Sequence, residues 1–369
     1  LLNVFKIISI GLFILTILTG VLGAQFPIKN FAPTFVWVIW WGGFIWLHIL
    51  FGNSWNFVNP WKNIFELIKF DEKPLRQYPE KLKSWPAFGF FLIFAWIELV
   101  YPTPAYPQFL GNIIFVYSVI VLAGMRVFGK DKWLDNCEPF TVFFNFVSSF
   151  SMTRVTSDGK ILLRPIASGL LDVRYRFDQL CFLILILSVV SFDGLISTLF
   201  WYDFIGMDVF GGSGRLDVIY VNTVGILLSF IVFFSVFYSF VIIAKIITQT
   251  DITVVDLAQR FVPALLPISI VYHLAHYSSY FFLNGQLIIK LIRPCVTTNW
   301  SGSVALIHST QKSGDLAINI TSFRRHLSAE NKSPKTIKSY LEACTQFAAF
   351  LKEKGMPQNL GDLRREHVE

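Results

Sequence analysis

Hydrophobic and polar positions divide this chain into a long apolar part and a short polar tail. Seven stretches are apolar and close to the roughly 20 residues that cross the hydrocarbon of a bilayer. They cover residues 4–24, 35–52, 86–101, 108–127, 179–201, 217–247 and 261–289. This pattern predicts an all-α fold: a polytopic membrane bundle of about seven spans, followed by a small soluble helical domain.

Two further segments, 55–70 and 133–152, are aromatic and amphipathic but are interrupted by charge or proline. They predict helices that lie along the membrane interface rather than cross it. In the first, Asn59 is placed to cap a helix that begins at Pro60. Trp55 and Trp61 favour the interface, so we interpret this helix as an interfacial anchor.

Composition supports this division. The chain is 54% hydrophobic and 15% charged, against about 25% charged residues in soluble domains. The lipid bilayer is therefore the first expected partner, and a multi-pass protein of the bacterial inner membrane is the expected location. Four scattered cysteines, without a CxxC pair, indicate neither a zinc site nor a disulfide framework.

Basic residues predict the orientation. Lysine and arginine crowd the loops at 62–83 and 126–176, whereas the loops at 102–107 and 202–216 contain Arg215 as their one cation. By the positive-inside rule the first two loops are cytoplasmic and the other two lie outside. Seven crossings then place the basic tail on the outer face.

The tail predicts a small helical domain over 314–369, after a linker or fusion scar at 290–313. Ser333 can cap a helix that begins at Pro334, and Gly355 can close it. Its apolar face is expected from residues at helical spacing, namely Ile337, Tyr340, Leu341, Phe347, Phe350 and Leu351.

Ionisable residues within spans are costly and indicate function by default. The candidate catalytic residues are His48, Glu98, Asp193, His273 and His276. His273 and His276, three residues apart on a helix, are candidate ligands of a divalent metal such as zinc, iron or manganese. A metal-activated water would allow hydrolysis. The alternatives are a proton or ion path, and a purely structural network of these residues with Tyr101, Tyr272 and Asn222.

Residues 1 to about 289 resemble a bacterial family of integral membrane proteins often labelled fenitrothion hydrolase. The segments that carry this resemblance include WVIWWGGFIWLHILFGNSWNFVNPWKNIFE, AWIELVYP, VSFDGL and LPISIVYHLAHYSSYFFLNGQ. The resemblance implies membrane location and hydrolysis of organophosphate esters. It assigns no catalytic residues.

The tail, SFRRHLSAENKSPKTIKSYLEACTQFAAFLKEKGMPQNLGDLRREHVE, resembles the N-terminal core-binding domain of tyrosine recombinases. The resemblance implies that Lys335, Thr336, Lys338 and Tyr340 face a DNA backbone. A recombinase catalytic domain would follow Glu369, so DNA binding is expected and DNA integration is not. We interpret the chain as a membrane protein joined to an incomplete recombinase fragment; the alternatives are a membrane-tethered DNA-binding module and a proton, ion or small-molecule transporter.

Overall fold

The computed structural model describes residues 2–69, 73–155, 160–170, 173–206, 215–297, 320, 323 and 334–356. The fold is all-α, as predicted, and its described strands form one short antiparallel hairpin, β1 (Thr153–Val155) and β2 (Ile161–Leu163). Two compact units divide the chain, Leu1–Ile292 and Arg293–Glu369.

The first unit contains the membrane-type helices and several shorter ones. In chain order they are α1 (Leu2–Leu22), α2 (Phe31–Phe51), α3 (Trp55–Val58), α4 (Pro60–Ile68), α5 (Trp85–Leu99), α6 (Pro107–Phe128), α7 (Lys130–Asn136), α8 (Pro139–Ser149), α9 (Phe177–Ile196), α10 (Leu199–Phe204), α11 (Ile219–Thr248), α12 (Val254–Phe261) and α13 (Leu265–Asn284). A further helix, α14 (Leu287–Thr297), begins in the first unit and ends after its last residue, Ile292. Short 3₁₀ turns lie at Pro27–Lys29, Glu80–Leu82, Ser168–Leu170 and Val262–Ala264.

Six helical segments of the described chain are long and apolar enough to cross a membrane: Asn3–Leu22, Phe31–Phe51, Pro107–Phe128, Phe177–Ile196, Ile219–Thr248 and Val254–Asn284. These match six of the seven predicted spans. The remaining one, predicted at 86–101, is the apolar helix α5, which has 15 residues. At 1.5 Å per residue it is about 22 Å long, shorter than a hydrocarbon core of about 30 Å.

The chain segment that contains α5 nevertheless runs between the two ends of α6. Just before α5, the backbone N–H of Arg76 donates to the carbonyl of Val127 at the end of α6. Beyond the other end of α5, the ring of Tyr101 stacks on Phe109 in the first turn of α6, with centroids 4.2 Å apart. The chain from 76 to 101 therefore covers the length of α6 in the opposite direction.

Further hydrogen bonds bring the predicted loops together in pairs. Arg126 donates to the carbonyl of Lys73 at 3.0 Å, which joins the two basic loops at one end. At the other end, Arg215 donates to the carbonyls of Glu98 and Tyr101, both at 3.1 Å. The structure thus places the described parts of the two arginine- and lysine-rich loops at one end of the bundle, and the described parts of the two loops poor in these residues at the other.

Helix α9 is the centre of the first unit. Thirteen of its twenty residues are buried, and it packs against α5, α11 and α13. By contrast, α11 has thirty residues of which four are buried. A helix that is apolar all round and buried on few positions suits a lipid environment, whereas one buried on all sides forms a core.

The two segments predicted at the interface differ from that expectation. Helix α8 buries seven of its eleven residues on more than one face, as a core helix of this length does. Trp55 and Trp61 are also buried, and their indole N–H groups donate to Thr141 and Ser118. The anchor interpretation of both tryptophans was wrong, because their polar atoms find partners inside the protein.

The predicted start of α4 is confirmed, since the Asn59 side chain accepts from the N–H of Lys62 and Pro60 is the first helical residue.

The second unit is described mainly by α15 (Pro334–Glu353). Its end matches the prediction at Gly355, which has a φ of +67°. The N–H of Gly355 donates to the carbonyl of Lys352, and that of Met356 to Leu351, the paired bonds of a Schellman cap. Of the predicted apolar face, Leu351 is buried, whereas Tyr340 and Phe350 are exposed. The capping role predicted for Ser333 lies outside the described residues, as does the side chain of Ile337.

The stretch interpreted as a linker from residue 290 begins as helix, because α14 continues to Thr297. Its apolar positions at helical spacing are Leu287, Ile288, Leu291 and Ile292, and they carry the helix past residue 290. Residues 298–313 of the predicted linker lie outside the described residues.

Candidate functional site

Three helices bring ionisable residues of the predicted set together. Helix α5 places Glu98 one residue before its end, α9 places Asp193 in its last turn, and α13 carries His276. All three side chains meet at Tyr277, the residue after His276. We call Glu98, Tyr277, Asp193 and His276 the polar cluster.

Tyr277 is the centre of the polar cluster. Its hydroxyl oxygen lies 2.7 Å from Oε1 of Glu98 and 3.1 Å from Oδ2 of Asp193. These separations fall within the range of hydrogen bonds between oxygen atoms, although the second is at its long end. The hydroxyl therefore links two carboxyl groups that come from different helices.

The number of protons in this arrangement is limited. A tyrosine hydroxyl has one proton to donate, and an ionised carboxylate can only accept. If Tyr277 donates to one carboxylate, the other carboxyl must itself donate to the tyrosine oxygen for both contacts to be hydrogen bonds. The geometry is thus that of two carboxyl groups sharing a proton through a tyrosine.

His276 extends the polar cluster towards the protein surface. Its Nε2 lies 2.8 Å from Oδ2 of Asp193, and its side chain is 32% exposed against 15% for that of Asp193. Asp193 accordingly has two neighbours that can donate to it, the imidazole and the tyrosine hydroxyl. This favours Asp193 as the ionised carboxylate and Glu98 as the carboxyl that retains a proton.

His273 lies one turn before Tyr277 and is directed elsewhere. It is buried, and its Nε2 lies 3.1 Å from the carbonyl oxygen of Trp41. Nδ1 has no hydrogen-bond partner among the described residues. Trp41 belongs to Thr34–Gly43, a π-helical stretch of α2; such turns are rare and are frequent at functional sites.

Close packing of α2 and α13 depends on a glycine. A Cβ at Gly43 would collide with the ring of Phe281. The absence of a side chain there lets α13 approach the π-helical stretch, which in turn holds His273 and Tyr277 at the depth where α5 and α9 end.

His48 is separate from the polar cluster. Its Nε2 accepts from the N–H of Trp55 at 3.0 Å, and its Nδ1 lies 3.1 Å from the carbonyl of Phe44. A backbone donor on one nitrogen and a backbone acceptor on the other fix the neutral Nδ1–H tautomer. The ring also stacks on Phe144 with centroids 4.2 Å apart. In this position His48 holds α2 to α3 and faces no other predicted candidate.

His273 and His276 were predicted as metal ligands. The structure gives them different partners, a carbonyl and a carboxylate. The described part of the chain contains no group of three or more His, Cys, Asp and Glu side chains placed to hold a metal ion. A metal site at His273 and His276 therefore stays a prediction, and the two imidazoles alone do not supply a full set of ligands.

Sequence reasoning missed Tyr277 and chose other partners for the structural network. Asn222 instead accepts from the indole of Trp201 at 3.0 Å, and Tyr101 stacks on Phe109. Tyr272 packs its hydroxyl against Gly194. The sequence signal for Tyr277 is its position: it follows His276 directly and lies four residues after His273, so on a helix it is close to both candidates.

The predicted DNA contacts are on α15. Lys338 is exposed and lies 3.8 Å from Glu342, one turn further on. Tyr340 is 51% exposed. The side chains of Lys335 and Thr336 lie outside the described residues. DNA binding by this helix therefore stays a prediction.

Comparison with protein-family models, with curated proteins and with solved structures finds no match for this chain. The resemblances to the fenitrothion hydrolase-labelled family and to recombinase core-binding domains thus stay predictions. Fold and site define a class: an all-α protein whose described residues include six helices long and apolar enough to span a membrane.

Proposed function

We propose that the first unit is a membrane proton transporter, in which the polar cluster takes up and releases a proton. The supporting observation is the position of the Tyr277 hydroxyl between the carboxyl groups of Glu98 and Asp193. Carboxyl groups within a membrane bundle have a high free-energy cost and commonly mark proton pathways.

The bundle has seven crossings in this proposal. We count α5 as a crossing, and the contacts of Arg76 and Tyr101 with the two ends of α6 support this count. The basic end then faces the cytoplasm, by the positive-inside rule. We place the protein in the bacterial inner membrane, with the polar cluster near the outer ends of α5 and α9.

Proton movement follows the order of contacts. His276, the most exposed member, exchanges a proton with outside water. Asp193 accepts from His276, and the Tyr277 hydroxyl can pass a proton between Asp193 and Glu98 by donating to one while accepting from the other. Opening of the bundle on the cytoplasmic side of Glu98 would complete the transfer.

The test uses the purified full chain in liposomes that contain a trapped pH-sensitive dye. A potassium diffusion potential, inside negative, drives proton entry. We expect faster acidification than in protein-free liposomes, and a loss on the order of 10²-fold in the Tyr277→Phe variant, as for other positioned proton-transfer groups. Tyr280→Phe is the matched control on the same helix, since Tyr280 is 45% exposed. Acidification equal to that of empty liposomes would refute the proposal, as would full activity of Tyr277→Phe.

A second candidate function is ester hydrolysis, which the pair of Asp193 and His276 favours. A carboxylate on one imidazole nitrogen orients the ring so that the other nitrogen can act as a base on water. The test is turnover of a neutral phosphate triester with a chromogenic leaving group, with His276→Gln as the variant and Tyr280→Phe as the control. Turnover that His276→Gln abolishes would establish hydrolysis, whereas proton flux without turnover would exclude it.

A further inference from the structure

An apolar cavity of about 480 Å³ lies within the first unit. Helices α1, α2, α5 and α6 form its walls, with contributions from α3, α4 and α8. Its volume falls within the roughly 300–1,000 Å³ of small-molecule sites. Phe13, Phe35, Trp40, Phe94, Ile113 and Phe140 are typical of its lining.

Several polar groups on the lining side chains are engaged within the protein. The hydroxyl of Thr16 donates to the carbonyl of Leu12, and the indole of Trp61 donates to Ser118. The hydroxyl of Tyr117 donates to the carboxylate of Glu138 at 2.9 Å. A ligand with polar groups inside the cavity would gain little from these atoms, so the lining suits a hydrocarbon chain.

One end of the cavity adjoins a basic cluster. Phe5 and Trp61 line the cavity, and each is followed by a lysine, Lys6 and Lys62. Lys6 and Lys130 both pair with Glu66, at 2.7 and 3.1 Å. The carboxylate of Asp131 interacts electrostatically with Lys62, and that of Asp135 interacts with Lys62 and Lys132. Among the described residues, Lys6, Lys62, Lys130 and Lys132 thus form a lysine-rich cluster with three carboxylates at this end of the cavity.

We propose that this cavity binds one molecule of an anionic phospholipid. One acyl chain fills the space between α1, α2, α5 and α6. The phosphodiester lies against Lys6, Lys62 and Lys130, whose positive charges attract its single negative charge. Basic pockets beside membrane helices on the cytoplasmic side recognise anionic headgroups in this way, and this basic cluster is at the end that the loops assign to the cytoplasm.

The proposal is tested by native mass spectrometry of the full chain released from detergent, after incubation with phosphatidylglycerol or phosphatidylcholine. We expect one phosphatidylglycerol to be retained in preference to phosphatidylcholine. Ile113→Trp fills the cavity and should abolish retention. Val119→Trp is the matched control on the same helix, because Val119 is 52% exposed and does not line the cavity. Lys6→Gln should weaken phosphatidylglycerol retention about fivefold while leaving the cavity open, as expected for one lysine near an anionic lipid.

Three results would overturn the proposal. One is equal retention of both lipids by the unaltered chain. Another is retention by Ile113→Trp at the level of Val119→Trp. The third is retention of an uncharged long-chain alcohol as strong as that of phosphatidylglycerol, which would leave an apolar site without headgroup recognition. Lys6→Gln alters a partly exposed side chain, so it decides the headgroup assignment even if Ile113→Trp fails to fold.

Discussion

The hydroxyl of Tyr277 lies 2.7 Å from the carboxyl group of Glu98, although 179 residues separate the two in sequence. The same hydroxyl lies 3.1 Å from Asp193. Because one hydroxyl proton cannot satisfy two ionised carboxylates, the pair can be distinguished by replacing each acid with its amide.

We expect Glu98→Gln to be tolerated and Asp193→Asn to be destabilising. The amide of glutamine offers a donor and an acceptor, as a protonated carboxyl does, so it can keep the contact with Tyr277. Asparagine at 193 would remove the charge that His276 faces at 2.8 Å, at a cost of about 1–3 kcal/mol. The measurement is thermal unfolding in detergent, with Glu98→Ala as the control that loses the hydrogen bond altogether. If Glu98→Gln were as unstable as Glu98→Ala while Asp193→Asn was tolerated, the proton would belong to Asp193.

His48 is expected to stabilise the fold without contributing to proton transfer. His48→Ala would leave the buried N–H of Trp55 without its acceptor, which costs about 1–3 kcal/mol. We therefore expect a lower unfolding temperature in detergent, together with unchanged proton flux per folded molecule in liposomes. A selective loss of flux at unchanged stability would instead assign His48 to the transport path.

Features that depend on local sequence could be predicted. The start of α4 at Pro60 and the end of α15 at Gly355 follow from residue types that favour those positions. Six spans follow from length and apolarity. Each of these signals is contained in a window of about twenty residues, so no tertiary contact is needed to find it.

Features that depend on packing could not be predicted. Tyr277 joins the polar cluster because α13 passes the ends of α5 and α9 at this residue, which no local pattern encodes. Helix α8 looks amphipathic in sequence, but it is buried on more than one face by its neighbours. Trp61 has the composition of an interfacial residue, and its burial follows from the position of Ser118 on another helix.

The contact between α1 and α6 should depend on Gly20. A Cβ at this position would lie 2.9 Å from Cα of Gly111 and 2.9 Å from the carbonyl of Pro107, closer than side-chain carbons approach backbone atoms. Small residues at such positions let membrane helices pack closely. We expect Gly20→Ala to lower the unfolding temperature by separating the two helices.

Gly11→Ala is the matched control for this change. It lies on the same helix, and a Cβ there meets nothing within 4 Å. The intrinsic preference of alanine for helix, about 1 kcal/mol over glycine, applies equally to both positions. The difference between the two variants in detergent thus reports the helix contact, and equal unfolding temperatures would show that α1 and α6 can separate without cost.

Glu66 should make the stability of the first unit depend on pH. Burial alone would raise the pKa of this carboxyl, but hydrogen bonds from Lys6 and Lys130 outweigh it and hold the pKa below its ordinary value of 4.5. A carboxyl with a lowered pKa in the folded state stabilises the protein above its unfolded-state pKa. That contribution is lost as the pH falls below about 4.5 and through the folded-state pKa.

The comparison is between the unaltered chain and Glu66→Gln, by thermal unfolding in detergent from pH 7 to pH 3. At pH 7 we expect the variant to be less stable by up to about 1 kcal/mol, because the two ion pairs are partly exposed. Below pH 4.5 the difference should shrink towards zero, since the acid then loses its charge and its advantage over the amide. A difference that stays constant over the whole range would mean that Glu66 contributes through packing, and that its charge does not hold α1, α4 and α7 together.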